Sequence, residues 1–521
     1  MMTGSLSMFW LLVSMLMLGG CALLPNNSAR ETSSAYTNID NPVLDRFWDH
    51  ASRQGKDISG FTLLDNGLDA FVARAVLAQL AVRSIDTQYY MIHGDDVGNL
   101  FIGQLLQAAD RGVRVRVLLD DISEGRRDLD IALFDMHPNI EVRVFNPFGR
   151  NVRRIWQYVT GFGRQTRRAH NKSFTVDGKA TILGGRNIGD EYFSHDPELD
   201  FQDLDVLAVG PVAAETSQAF DLYWNHELSY PASLLFDTQL DEAASIQRKN
   251  RFEKKIASLN DSPYIGRLKD SDLMKKLRDG KASLAWGPGK VYVDPPDKLL
   301  RKVGDRSYQM FTELLPYLRN AREELTIFSP YFVPGKKGVQ FLKTLRKRGV
   351  RVSILTNSLS STDVSIVHAG YSRYRKDLLR AGIGLWELNK VTSKAERKAR
   401  KAGRIGSSKF SLHAKAFVVD RKIMFIGSLN LDPRSVSQNT EIGVVFETPA
   451  LAERVVENFE KGIEDAAFHL ELKQDEYGRE YILWHGRVNG KQTTLDHEPY
   501  TGFFKRLGIG LMRWLPIESQ I

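Results

Sequence analysis

Cysteine is nearly absent from this 521-residue chain: Cys21 stands alone, so no intrachain disulfide can form and packing alone must hold the fold. Cys/His pairs with zinc spacing and EF-hand acidic loops are missing too, so no familiar metal motif competes for the function. No single element interleaves aromatic and basic residues as base-stacking surfaces do, which argues against a nucleic-acid partner. The apolar run MFWLLVSMLMLGGCALLP is too short and too near the start for a comfortable transmembrane helix, and no Lys or Arg precedes it.

What remains is the composition of a folded globular protein, 42% hydrophobic and 26% charged. At 521 residues it is too long for one hydrophobic core, so two domains or two halves of one large domain are expected. The 71 Lys and Arg against 63 Asp and Glu leave a formal charge of +8, which favours an anionic partner such as phospholipid or nucleic acid without choosing between them.

The apolar run ends in Leu18-Gly19-Gly20-Cys21, which resembles the lipobox of bacterial lipoproteins. That resemblance implies a signal peptide over residues 1–20 and lipidation of Cys21, whose acyl chains would each contribute about 0.8 kcal/mol per buried CH₂ to membrane anchoring. The protein would then sit on a bacterial membrane facing the periplasm, and Ala22 in place of Asp favours the outer membrane's inner leaflet. A plain signal peptide and an uncleaved anchor remain the alternatives.

Residues 21–60 are polar and turn-rich, as suits a tether. Helical and extended patterns then alternate: NGLDAFVARAVLAQLAVRS, SIDTQYYMI, LFIGQLLQAADRG and VRVRVLLDD. The same order returns in SYQMFTELLPYLRNAREE, LTIFSPYFV, GVQFLKTLRKRG and VRVSILTNS. The fold class is therefore α/β, built of two related halves at 61–230 and 301–470. A charged linker containing some helix separates them at 231–300, and 471–521 forms a C-terminal extension. Within that extension Phe504, Leu507, Leu511 and Trp514 recur at helical spacing, fitting either a docking helix or an interfacial membrane helix. A strongly basic run occupies 390–409.

The chemistry sits in a second repeat. HNKSFTVD at His170–Asp177 returns as HAKAFVVD at His413–Asp420, both H-x-K-x4-D. About 0.04 such matches arise by chance at this composition. Alternate residues of a strand share a face, so His170 and Lys172 point together, as do His413 and Lys415. Asp177 has the opposite parity and sits before Gly178, on the other face or in the following turn. Lysine is a point charge suited to phosphate, and imidazole can attack phosphorus or protonate a leaving oxygen. Two such strands facing one cleft would supply nucleophile and general acid.

These motifs resemble the phospholipase D superfamily across roughly residues 60–470. The resemblance implies two pseudo-symmetric α/β/α sandwich halves sharing one active-site cleft. It also implies a two-step displacement through a phosphohistidine, with no metal and no cofactor. LGGRNIGDEYF and IGSLNLDPRS are similar to the family's Gly-rich segment and make Asn187 and Asn430 phosphate-binding candidates. DLDVLAVGP and NTEIGVVFE are similar to the stretches whose acid supports an active-site His: Glu441 in the second half, and Asp203 or Asp205 in the first, with Asp205 carried forward. The catalytic set is then His170, Lys172, Asp177, His413, Lys415, Asp420, Glu441 and Asp205. The first half departs in having Gly185-Arg186 where the second has Ser428-Leu429. Among bacterial members the chain resembles the cardiolipin synthases, the C-type in particular. That implies phosphatidyl transfer from phosphatidylethanolamine or phosphatidylglycerol onto phosphatidylglycerol at a membrane. Hydrolysis of phospholipid to phosphatidic acid and non-catalytic binding of anionic lipid are the alternatives.

Overall fold

The computed structural model describes residues 24–122, 128–150, 165–195, 200–236, 242–260, 262–279, 281–389, 410–488 and 491–513, together with Arg154 and Gln157. Residues 1–20, read above as a signal peptide, and Cys21, the basic run and Trp514 lie outside the described residues.

The first half is built on strands β1 (Ile58–Leu64), β2 (Ser84–Tyr89), β3 (Arg114–Asp120), β4 (Ile140–Phe145), β5 (Ser173–Val176), β6 (Ala180–Gly184), β7 (Asp200–Gln202), β8 (Asp205–Val209) and β9 (Ser229–Pro231). Apart from β7 they lie in the order β1-β8-β6-β5-β2-β3-β4-β9. The second half contributes β10 (Ala285–Val293), β11 (Glu324–Phe328), β12 (Arg351–Asn357), β13 (Gly384–Leu388), β14 (Phe410–Leu412), β15 (Ala416–Val419), β16 (Ile423–Gly427), β17 (Ile442–Glu447), β18 (Ala467–Gln474), β19 (Glu480–Val488) and β20 (Lys491–Leu495). Apart from β14 they repeat the arrangement as β10-β17-β16-β15-β11-β12-β13-β18, continued by β19 and β20.

In each half three central strands are parallel, as helical crossovers require, and helices cover their faces. All six residues of β2 are accordingly buried. The duplicated RGVRV marks equivalent helix-to-strand turns. Gly112 (φ +88°) and Gly349 (φ +89°) take the left-handed conformation that ends each helix, where a side chain would be strained. A third apolar cluster, containing Phe61, Val206, Met424 and Val444, joins the two halves. Within it the rings of Phe61 and Phe446 stack 4.5 Å apart.

Several expected boundaries are corrected. The segment read as a tether is docked from Asn27 onward: Asn27 donates to the carbonyls of Glu227 and Ser229, and helix Pro42–Gln54 buries Leu44, Phe47 and Ala51. The linker is mostly helix, at Glu242–Asn260, Pro263–Asp270 and Asp272–Arg278, and its end is strand β10. That strand pairs with β1 through Ala285–Pro288 and with β17 through Gly289–Val293, so one strand belongs to both sheets. The second half does not stop at 470, because β18–β20 extend its sheet. Helix Phe503–Met512 docks on one side only. Ile509 packs with Leu359 and Ala369, while Phe504 (84% exposed) and Leu511 (66%) face outward.

The motif aspartates belong to this scaffold. Asp177 (φ 53°) accepts hydrogen bonds from the backbone amides of Val82, Arg83 and Ser84 and from Asn41 Nδ2, pinning the start of β2. Asp420 (φ 52°) does the same for the amides of Arg322, Glu323 and Glu324 at the start of β11. Asp177→Ala would leave those buried donors unsatisfied, and a loss of about 3 kcal/mol is expected, read as a lower midpoint in urea unfolding.

Candidate active site

The backbone approach to each histidine is made by the opposite half. Strand β14, which leads into His413, pairs parallel with β7, which leads into Asp203, and the His413 amide donates to the Gln202 carbonyl at 2.8 Å. On the other side Ala169 bridges Thr440, and the His170 amide donates to the Thr440 carbonyl at 2.9 Å. These docked segments cross the acids over. His170 Nδ1 lies 2.9 Å from Glu441 Oε2, and His413 Nδ1 lies 2.5 Å from Asp203 Oδ2. Each imidazole therefore takes its carboxylate from the other half, which fixes Nδ1–H and leaves Nε2 for chemistry.

The lysines lie just ahead of β5 and β15, not within them, and fold back onto the backbone of their own histidines. Lys172 Nζ donates to the His170 carbonyl at 2.8 Å, and Lys415 Nζ to the His413 carbonyl at 2.5 Å. The rings of Tyr90 and Tyr192, both from the first half, meet His170 and His413 edge-on at 4.9 and 5.1 Å.

Burial dominates the electrostatics. It lowers the imidazole of His170 well below its usual range, helped by Lys172 and Lys415, and lowers His413 with Lys415 adding to the effect. The same burial brings Lys172 down to about 7 and Lys415 down to about 8. The two acids differ. Desolvation pushes Glu441 up to about 7. Desolvation also opposes ionisation of Asp203, but His413, Lys415 and Arg186 outweigh it and hold this carboxyl below the ordinary range.

A pH prediction follows with opposite signs on its two limbs. Glu441 gains charge as pH rises through about 7, whereas the phosphate-attracting charge of Lys415 is present below about 8 and lost above it. Lys172, titrating at about 7, loses its charge over the range in which Glu441 gains its own, so a narrow bell-shaped kcat/KM centred near 7 is expected, since that parameter reports the free enzyme. Lys172→Arg should move the alkaline limb upward, toward the value of about 8 at Lys415, and leave the acid limb in place in a pH–rate profile.

Asp205, carried from the sequence as the first half's acid, does not serve a histidine. Buried at the start of β8, it binds the guanidinium of Arg74 at 2.8 Å and that of Arg186 at 3.4 Å. Arg186 in turn donates to the Asp203 carbonyl at 2.7 Å, so Asp205 supports the working acid from behind. The departure at Gly185 is explained as well. A Cβ there would lie 2.4 Å from Asp203 Oδ1, whereas its counterpart Ser428 uses its hydroxyl to donate to Glu441 Oε2 at 2.5 Å. Asn187 and Asn430 occupy equivalent buried places, and the Oδ1 of each has no protein partner among the described residues. The Asn187 amide donates to Tyr192.

Sequence reasoning missed Tyr90, Tyr192 and the clamp on Glu441. Asp294, just beyond β10, accepts from the Glu441 amide at 3.0 Å and from Lys298 at 2.8 Å. Tyr90 was within reach, because it follows the strand that pairs with the first motif.

Comparison with known proteins agrees with this arrangement. Two segments, 77–224 and 314–463, match the family model described as cardiolipin synthase, PLD-like domain. The chain belongs to the PLD-like cardiolipin synthase family. It thereby joins the phosphatidyltransferases of the phospholipase D superfamily. It is 42% identical to cardiolipin synthase C of Escherichia coli (strain K12), over 88% of this chain and 95% of the relative. Identity to cardiolipin synthase A of Pseudomonas putida (strain KT2440) is 26%, over 84% and 74%. The crystal structure of phosphatidylserine synthase from Haemophilus influenzae Rd KW20 shares the fold, with a TM-score of 0.51 at 14% identity over 81% of this chain and 91% of that one. The family's doubled PLD-like domain is thus the pair of halves whose acids cross.

Proposed function

We propose that the chain is a cardiolipin synthase that moves a phosphatidyl group from phosphatidylethanolamine or phosphatidylglycerol onto phosphatidylglycerol through a phosphohistidine. The crossed pairs, His170 with Glu441 and His413 with Asp203, are the observation that carries this reading. Neutral Nε2 of one histidine attacks phosphorus, and the P–O bond to the headgroup alcohol breaks. The other histidine, protonated, gives its proton to the departing oxygen. It then takes a proton from a glycerol hydroxyl of phosphatidylglycerol, which attacks phosphorus and breaks the P–N bond. The cycle restores both histidines. Lys172 and Lys415 offset the phosphate's charge throughout, in a buried setting where such charges act strongly.

The full chain, incubated in vesicles of phosphatidylglycerol with isotope-labelled phosphatidylethanolamine, should form cardiolipin, detected by mass spectrometry. Phosphatidic acid alone would assign hydrolysis instead, and no product would leave only binding. The labelled headgroup identifies the donor.

The same reading includes a lipid anchor at Cys21 facing the periplasm. Among the described residues no helix is long and apolar enough to cross a membrane. Cys21→Ser is expected to shift the protein from the detergent phase toward the aqueous phase on partitioning. The C-terminal helix would retain part of it, and deleting residues 501–521 as well should release that remainder.

A further inference from the structure

The two halves differ where their helices close over the sheet. In the first half the groove between helices Gly67–Leu80 and Asp96–Asp110 is roofed by the linker helices. Leu259, Tyr264, Leu268 and Leu277 complete that half's core. Tyr264 packs edge-on against Phe71 at 6.1 Å and donates to the Phe193 carbonyl at 3.1 Å, and Phe193 is fully buried. In the second half the corresponding groove, between helices Met310–Arg319 and Gly335–Lys347, is a cavity of about 580 Å³ that no described segment roofs. Phe311, Phe332, Phe341, Leu431 and Val436 line it. The bridges Ile92 to Ile188 and Phe332 to Leu431 are equivalent, which places Val436 where Phe193 lies under Tyr264.

Charge at the two grooves is reversed. Asp96 stands at the start of the first half's helix and receives Lys255 from the roofing linker at 2.6 Å. Its counterpart is Lys336, exposed beside Lys337 at the mouth of the open cavity. The cavity lining adjoins residues of the active site along the chain. Leu431 follows Asn430, and Phe332 follows Tyr331, which belongs to the electrostatic neighbourhood of Tyr192 beside His413.

We infer that this groove binds one acyl chain of an anionic phospholipid whose phosphate is held at Lys336 and Lys337 at the mouth of the groove. The occupant must be apolar, because its place in the first half is filled by Leu and Tyr side chains. It must carry negative charge at one end, because the mouth offers two ammonium groups where the roofed groove offers a carboxylate. The volume is that of a small-molecule pocket, typically about 300–1,000 Å³. The twofold-related sites are thus made unequal, so that the second half holds a lipid through its tail while the first half cannot. This inference rests on the phospholipid reading above and names where one of the two lipids lies.

The test uses the full chain on phosphatidylglycerol vesicles containing a phosphatidylglycerol analogue with a photoactivatable diazirine in one acyl chain. Crosslinked peptides are mapped by mass spectrometry. Crosslinks concentrated in 311–342 and 431–437, and at least fivefold fewer in Val436→Trp, are expected. The apparent KM for long-chain phosphatidylglycerol should rise by a similar factor in that variant. Lys336→Glu with Lys337→Glu should weaken crosslinking at the groove, and the remote surface variant Tyr477→Trp should not change it. Crosslinks confined to helix Phe503–Met512, or a groove covered by the chain's own termini in crosslinking of the protein alone, would overturn the inference. Cardiolipin formation with no groove crosslinks sinks this inference alone. Absence of both sinks the phospholipid reading with it.

Discussion

His170→Ala and His413→Ala are each expected to lower cardiolipin formation by about 10⁴-fold or more, and the double variant is expected to fall little further. Residues acting on one bond-making sequence are not additive, because once either histidine is gone the other has no partner step to catalyse. His413 is buried and His170 nearly so, at 12% exposed, and each is held by a carboxylate of the other half, with the lysine two residues on bonded to its backbone carbonyl. The measurement is initial rate with purified protein, with circular dichroism to show that the fold persists. A variant with full activity would refute the two-histidine reaction. Acid-quenched samples extend the test: the variant lacking the nucleophile can form no phosphohistidine, so the labelled peptide identifies which ring attacks phosphorus.

The second large effect separates two aspartates only two residues apart. Asp203→Asn should cost about 10³–10⁴ in kcat with little loss of stability, since an amide at this place supports the wrong imidazole tautomer and cannot stabilise imidazolium. Asp205→Asn should do the reverse. It strips charge from between Arg74 and Arg186, which are both buried, and breaking a buried pair in this way costs about 3–5 kcal/mol. Thermal unfolding of both variants, set beside their kcat values, checks the pair of expectations. Equal loss of kcat without loss of stability in Asp205→Asn would show that it works on the imidazole after all.

That contrast also shows how far the sequence can be read. The repeat and the βαβ order were legible because they depend on local periodicity and on comparing the chain with itself. The displacement of Asp177 from the chemistry was legible from parity alone. The choice between Asp203 and Asp205 was not made correctly, although a signal existed. Aligning the apolar strands VLAV and VVFE sets Val206 against Val444, and this puts Asp203 opposite Glu441. The crossing of the acids left no such trace, since it arises from parallel pairing of segments some 200 residues or more apart, β7 with β14 and Ala169 with Thr440. The linker was misread for a different reason. Its apolar residues are sparse among charges, and only contact with the first half's helices reveals that Leu259, Tyr264, Leu268 and Leu277 are core.

Strand β10 has a consequence for how the chain is made. Until Ala285–Pro288 emerge from the ribosome, β1 has one unpaired edge, a template on which another nascent chain could add a strand. The segment that seals this edge continues, within the same nine residues, into the first strand of the next sheet. Completion of the first half and nucleation of the second are thereby one event, so the exposed edge of β1 is covered by the same strand that starts the next sheet.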